Sequence, residues 1–180
     1  QFVFGLIKKY NIVCLQETHV GRGWQRQFEE YISGQAVCHW SWNDNRVAAG
    51  GLGIILKRSF TEAFAETTLY DLIPGRLAAL KLAGPAGTLT VFNIHIEPGL
   101  STQQRQEFLN TVVAAPCFDP RVHTLVTGDC NFDSDIMDRF DCSQSRFAGV
   151  PGHESTVFDN LFSDFTELHQ PDFTHCTSRM

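Results

Sequence analysis

The chain has 180 residues, 43% hydrophobic and 19% charged, with a net charge of −6. That size and balance predict one globular domain over 1–180, with enough apolar side chains for a core. No apolar run is long enough to cross a bilayer. The acidic balance also argues against a surface that coats phosphates with Lys and Arg, although a nuclease whose metal ions offset its carboxylates stays open.

In chain order, residues 1–10 set Phe2, Leu6, Ile7 and Tyr10 near helical spacing. "NIVCLQE" reads as a short buried strand, apolar from Ile12 to Leu15. "WQRQFEEYIS" suits a helix with Trp24, Phe28 and Tyr31 on one face. "AVCHWSW" and "GGLGIILKR" read as strands, and "RLAALKLA" and "TLTVFNIHI" as two more around a "GPAG" turn. Ser101 or Thr102 caps a helix over "QQRQEFLNTVVAA", with Pro116 just beyond its end. "VHTLVTGD" is a strand, and Asn131 to about Glu154 reads as loop. "NLFSDF" then reads as a short helical turn and "TELH" as a short strand. Strands outnumber helices and neighbours are joined by short turns, which predicts a layered α/β or α+β sandwich.

The six cysteines, at 14, 38, 117, 130, 142 and 176, include no CxxC pair. That spacing argues against a zinc site and for free, partly buried thiols in a reducing intracellular compartment, nuclear or cytoplasmic.

Polar groups collect where apolar strands run out. Glu17 follows the first strand. Asp129 and Asn131 follow the "LVTG" run two positions apart, and in extended chain such a pair faces one way. Oxygen ligands of this kind suit a hard divalent cation such as Mg²⁺, which keeps several waters. Asn93 and His95 form a second i, i+2 pair, in "VFNIHIEPG". A histidine there can donate a hydrogen bond to a phosphate oxygen or carry a proton. Taken singly, each residue has an ordinary reading: a turn aspartate, a solvated glutamate, a partly buried histidine. Only their convergence would make a site. Among the arginines, Arg22 is the one read as a rim contact to substrate; Arg26, Arg46 and Arg76 read as solvated surface charges.

"LQETH" at 15–19, "GGLGIIL" at 50–56, "FNIHIEPG" at 92–99 and "VTGDCNFD" at 126–133 stand in the order of the endonuclease/exonuclease/phosphatase superfamily. The resemblance spans nearly the whole chain. It implies a four-layer α-β-β-α sandwich with two mostly antiparallel sheets, and Mg²⁺-dependent hydrolysis of a phosphate ester, with Mn²⁺ as a substitute ion. By motif, Glu17 resembles the metal-binding glutamate, Asp129 the aspartate that handles the attacking water, and Asn131 the asparagine at the phosphate and metal. His95 resembles the histidine that steadies charge on the phosphate, Asn93 a supporting residue near substrate, and Thr174 a substrate-backbone contact. Glu17, Asp129 and Asn131 are thus the implied metal ligands.

"LQETH" and "TSRM" resemble the non-LTR retrotransposon endonucleases, which makes DNA the expected partner. A lipid-headgroup or small-molecule phosphoesterase is the enzyme alternative, and a non-catalytic remnant of the same fold the other. The resemblance also implies an N-terminal strand ending in Asn and a C-terminal strand carrying Asp-His. Neither motif is found in the sequence, so weak or no activity is expected of this stretch alone.

Overall fold

The computed structural model describes residues 2–44, 49–133, 136–138, 140–141 and 143–168. Arg46, Cys142, His169, Thr174, His175 and Cys176 lie outside them. The chain forms two compact units, one of residues 1–97 with 114–130, the other of 98–113 with 131–180.

The first unit holds two sheets. Strands β1 (Ile12–Leu15), β2 (Ala36–Ser41) and β3 (Leu52–Lys57) make one, in the order β1-β3-β2, all antiparallel. Strands β4 (Glu66–Ile73), β5 (Leu77–Gly84), β6 (Gly87–His95) and β7 (His123–Asp129) make the other in chain order, antiparallel except for the parallel pair β6–β7. Alternation explains how they stack. On β3, Ile54 and Leu56 meet Leu80 and Leu82 of β5 in a core between the sheets. Ile55, between them in sequence, points the other way and packs with Ile7 and Ile32. Those two belong to helices α1 (Phe2–Lys9) and α2 (Arg22–Ile32), which cover the outer face of the first sheet. A strand buried on both faces reads as a continuous apolar run, as "LGIIL" does. A short helix α3 (Arg58–Thr61) follows β3.

The second unit contains α4 (Thr102–Val113), a 3₁₀ turn at Ile136–Asp138, a hairpin of β8 (Phe140–Asp141) and β9 (Arg146–Phe147), and α5 (His153–Leu161). Arg105 Nη1 donates to Glu154 Oε1 at 2.7 Å, tying α4 to α5. The ring of Phe158 lies against those of Phe132 and Phe162.

Several expectations need correction. The edge strand β4 has no counterpart in the pattern reading. Its exposed positions, Glu66, Thr67, Thr68 and Asp71, fall on both faces, so "ETTLYDLI" lacks the apolar alternation of a half-buried strand. The loop expected over 131–154 includes a hairpin, and the helix expected at "NLFSDF" begins earlier, at His153. Residues 166–168 form no strand. Of the predicted helix faces, Phe2, Trp24 and Tyr31 are exposed, while Ile7 and Ile32 carry the burial. Cys14, Cys38, Cys117 and Cys130 are not disulfide-bonded, and burial pushes the thiols of Cys14 and Cys38 up to about 12. Among the described residues, no helix is long and apolar enough to cross a membrane.

Candidate active site

β1 stops at Leu15, and the next residues curl instead of extending: Glu17 and His19 both have φ 49°, in the left-handed region. Side chains other than Gly, Asn and Asp rarely adopt that conformation, and it persists only where neighbours enforce it. Here Thr18 N–H donates to Gly51 O and His19 N–H to Gly50 O, each at 3.1 Å. A Cβ on Gly51 would collide with Thr18 Oγ1, so the glycine pair ahead of β3 lets the loop lie this close. The outcome is a Glu17 carboxylate that is 52% exposed and turned toward the ends of neighbouring strands.

β6 supplies the groups beneath it. Leu89, Val91, Asn93 and His95 share the face turned to the other sheet, and as the strand leaves the core this face changes from apolar to polar. Asn93 is fully buried. Its amide donates to Leu15 O at 3.0 Å and Gly53 O at 3.1 Å, and its Oδ1 accepts from Gln16 Nε2 at 2.6 Å. One side chain therefore joins β6 to both β1 and β3, just below the Glu17 loop.

His95, 1% exposed, has Nε2 3.6 Å from Glu17 Oε1. Its Nδ1 lies 2.6 Å from Arg76 Nη1, and its backbone N–H donates to Arg76 O at 2.8 Å. Burial first, then the Arg76 charge, hold the imidazole below the usual histidine pKa, against the opposing carboxylates of Glu17, Asp129 and Glu97. Asp129 ends β7 in parallel register with His95, so the two side chains stand on the same face of adjacent strands. Gly128, with φ 145°, precedes it; a Cβ there would overlap the Ile94 carbonyl. The "GD" step is thus a steric demand of the β6–β7 pair.

The structure brings together Glu17, His95 and Asp129 around the strand ends, with Asn93 beneath. Asn131 opens the second unit; it has φ 50° and lies two residues past the end of β7, so the extended-chain argument for pairing it with Asp129 does not apply. Arg22 is exposed and bound to Asp44 through Nε at 3.2 Å and Nη2 at 2.8 Å. It lines a groove of about 400 Å³ with Trp40 and Trp42, a groove that Glu17, His95 and Asp129 do not line. Arg76 was expected to be solvated and is instead buried against His95, with Nη2 3.4 Å from Glu97 Oε1.

Among the described residues, no three His, Cys, Asp or Glu side chains gather closely enough to hold an ion by themselves. A Mg²⁺ site needs less: one or two carboxylates, with water filling the remaining positions. The half-exposed Glu17 and the exposed Asp129, both oxygen donors, fit that hard, hydrated ion.

A model of the endonuclease/exonuclease/phosphatase family matches residues 1–178. The chain belongs to that family. Among solved structures, an AP endonuclease from Archaeoglobus fulgidus is similar at TM-score 0.62 and 17% identity, over 89% of this chain and 63% of that one. The endonuclease domain of TRAS1, a telomere-specific non-LTR retrotransposon, is similar at TM-score 0.57 and 13% identity, over 91% of this chain and 62% of that one. TDP2 from D. rerio, complexed with a single-strand DNA product, is similar at TM-score 0.52 and 18% identity, over 73% of this chain and 52% of that one. At these identities the likeness is one of fold. The chain spans less than two thirds of the length of each of these three structures. No curated protein matches the sequence.

Proposed function

We propose that this chain is a Mg²⁺-dependent phosphodiester hydrolase acting on DNA, of the retrotransposon-endonuclease kind. One observation carries the reading: three strand ends far apart in sequence deliver Glu17, His95 and Asp129 to one neighbourhood. DNA as substrate is supported by the three similar structures, whose names are those of DNA-processing proteins.

Glu17 and Asp129 would hold the ion. A bound divalent cation polarises a phosphoryl oxygen and offsets the charge that grows as phosphorus is attacked. The chain's own groups then divide the work. Asp129, exposed at the end of β7, accepts the proton of the attacking water at its carboxylate. His95 presents Nε2 beside Glu17 from the buried floor of the site. Asn93, with its amide spent on Leu15, Gly53 and Gln16, acts by positioning and not by touching substrate. For Asn131 the support is the "GDCN" motif alone, and Thr174 rests on motif in the same way.

The acidic balance, with Arg22 already bound to Asp44, favours one rival reading: a phosphoesterase for a small substrate. Salt separates the two, since affinity for DNA falls steeply with salt and affinity for a small ester does not.

The test is Mn²⁺ binding followed by electron paramagnetic resonance, beside Mg²⁺-dependent nicking of supercoiled DNA. Glu17→Gln should lose most of the ion binding and slow nicking by about 10²–10³-fold, the usual cost of removing one such electrostatic group. Equal Mn²⁺ affinity in the variant and the wild type would end this assignment.

A further inference from the structure

Arg76 Nη1 and His95 Nδ1 approach to 2.6 Å in a buried place. A guanidinium has five N–H donors, no acceptor, and stays charged at any ordinary pH. A proton on Nδ1 would set donor against donor at that distance. Nδ1 must therefore offer its lone pair, which leaves the single proton of the neutral imidazole on Nε2. That is the nitrogen turned toward Glu17 Oε1.

We propose that Arg76 is a positioning residue that fixes His95 in the tautomer protonated at Nε2, so that His95 presents a hydrogen-bond donor, not a base, to the strand ends. Arg76 has little freedom to leave. Its backbone carbonyl is held by His95 N–H at 2.8 Å, and its Nη2 lies 3.4 Å from Glu97 Oε1. A Cβ on Gly50, where φ is 90°, would stand 3.2 Å from Arg76 Nε, so the glycine leaves room for the side chain.

The consequence for chemistry rests on the hydrolase reading. With an N–H at Nε2, His95 is unable to take the proton of the attacking water, and that work falls to Asp129. The N–H faces a Glu17 oxygen instead, at 3.6 Å, a separation at which it acts on that carboxylate through charge and not through a formed hydrogen bond. A carboxylate in place of Arg76 would do the reverse, because it would accept from Nδ1–H and leave Nε2 as the base.

The test is a long-range ¹H–¹⁵N correlation spectrum of the chain labelled at histidine, recorded at about pH 8, above the ordinary histidine pKa. His95→Gln identifies the His95 signals by their loss. The wild type should show an unprotonated, acceptor-type Nδ1 and a protonated Nε2. Arg76→Lys, which keeps a donor, should preserve that pattern, and Arg76→Met should give a mixture of tautomers. A proton on Nδ1 in the wild type would overturn the inference without any variant having to fold. So would an unchanged spectrum in Arg76→Met. If the Nε2 tautomer is seen and neither DNA nor a small phosphate ester is cut, the hydrolase reading fails and the role of Arg76 stands.

Discussion

Asn93 gives the sharpest test of how the site is held. Asn93→Ala removes three hydrogen bonds at once: the two donated to Leu15 O and Gly53 O, and the one received from Gln16. A typical net value is about 0.5–1.5 kcal/mol each, and the side chain is fully buried, so water does not readily replace it. The sum predicts a loss of about 2–4 kcal/mol, read as a lower midpoint in urea unfolding with an unchanged slope. Asn93→Asp keeps the shape but turns two donated hydrogen bonds into carboxylate–carbonyl repulsion. It should be worse than Asn93→Ala at neutral pH. That repulsion disfavours the ionised form, so the new carboxyl's pKa in the folded state is raised above the unfolded value. The folded state then binds more protons than the unfolded one, so this variant should gain stability, relative to the wild type, as pH falls toward the unfolded carboxyl pKa of about 4. A loss below about 1 kcal/mol for Asn93→Ala, or Asn93→Asp no worse than Asn93→Ala at neutral pH, would refute this account of Asn93.

Two further outcomes follow from single positions. Gly128→Ala should cost about 2–5 kcal/mol in urea unfolding, combining left-handed strain with overlap on the Ile94 carbonyl, whereas Gly87→Ala, at φ 128° with open space around it, should cost only about 1–2 kcal/mol; equal costs would show that the overlap is relieved at no expense. His39 has a buried Nε2 without a hydrogen-bond partner, and burial holds its pKa below the ordinary value against the opposing charge of Glu29. The unfolded chain therefore takes up the proton first, and stability should fall as pH drops below about 6.5; His39→Phe should reduce that loss between about pH 7.5 and 5.5, while His95, also depressed, keeps the slope from vanishing.

The strands of the core were legible because their apolar runs are unambiguous: "IVCL", "LGIIL" and "VFNIHI" sit at β1, β3 and β6. β4 was hidden because its exposed polar residues, Glu66, Thr67, Thr68 and Asp71, fall on both faces of the strand and break any apolar period. Glu17, Asp129 and the Asn93–His95 pair were visible as polar groups ending apolar runs. Their grounds were only partly right: Glu17 is aimed by a left-handed loop held against Gly50 and Gly51, and Asn131 lies beyond the strand that was meant to orient it. Arg76 was passed over as one of several scattered arginines. The signal that finds it is register. Counting back along both strands from the two-residue turn at Pro85–Ala86 sets Arg76 opposite His95, and the backbone bond between them confirms that count.

The face of β6 that meets the other sheet shows why core and site are one construction. Leu89 packs with Ile54, Leu56, Leu80 and Leu82, and is held by apolar contact that asks nothing of its neighbours beyond fit. Four residues on, Asn93 is more deeply buried than Leu89 and carries three groups that need partners, and β1, β3 and Gln16 supply them. Two further on, His95 meets Arg76 on one nitrogen and faces Glu17 with the other. Each step outward replaces a nonspecific contact with one that fixes direction as well as distance. A change at Asn93 should therefore move Glu17 relative to His95 while the apolar core stays packed. Catalytic loss in Asn93→Ser, which is smaller but keeps a hydroxyl for one of the carbonyls, should outrun its loss of stability. The comparison is kcat against unfolding midpoint in the same preparation. Proportional losses in both would mean that Asn93 serves the fold alone.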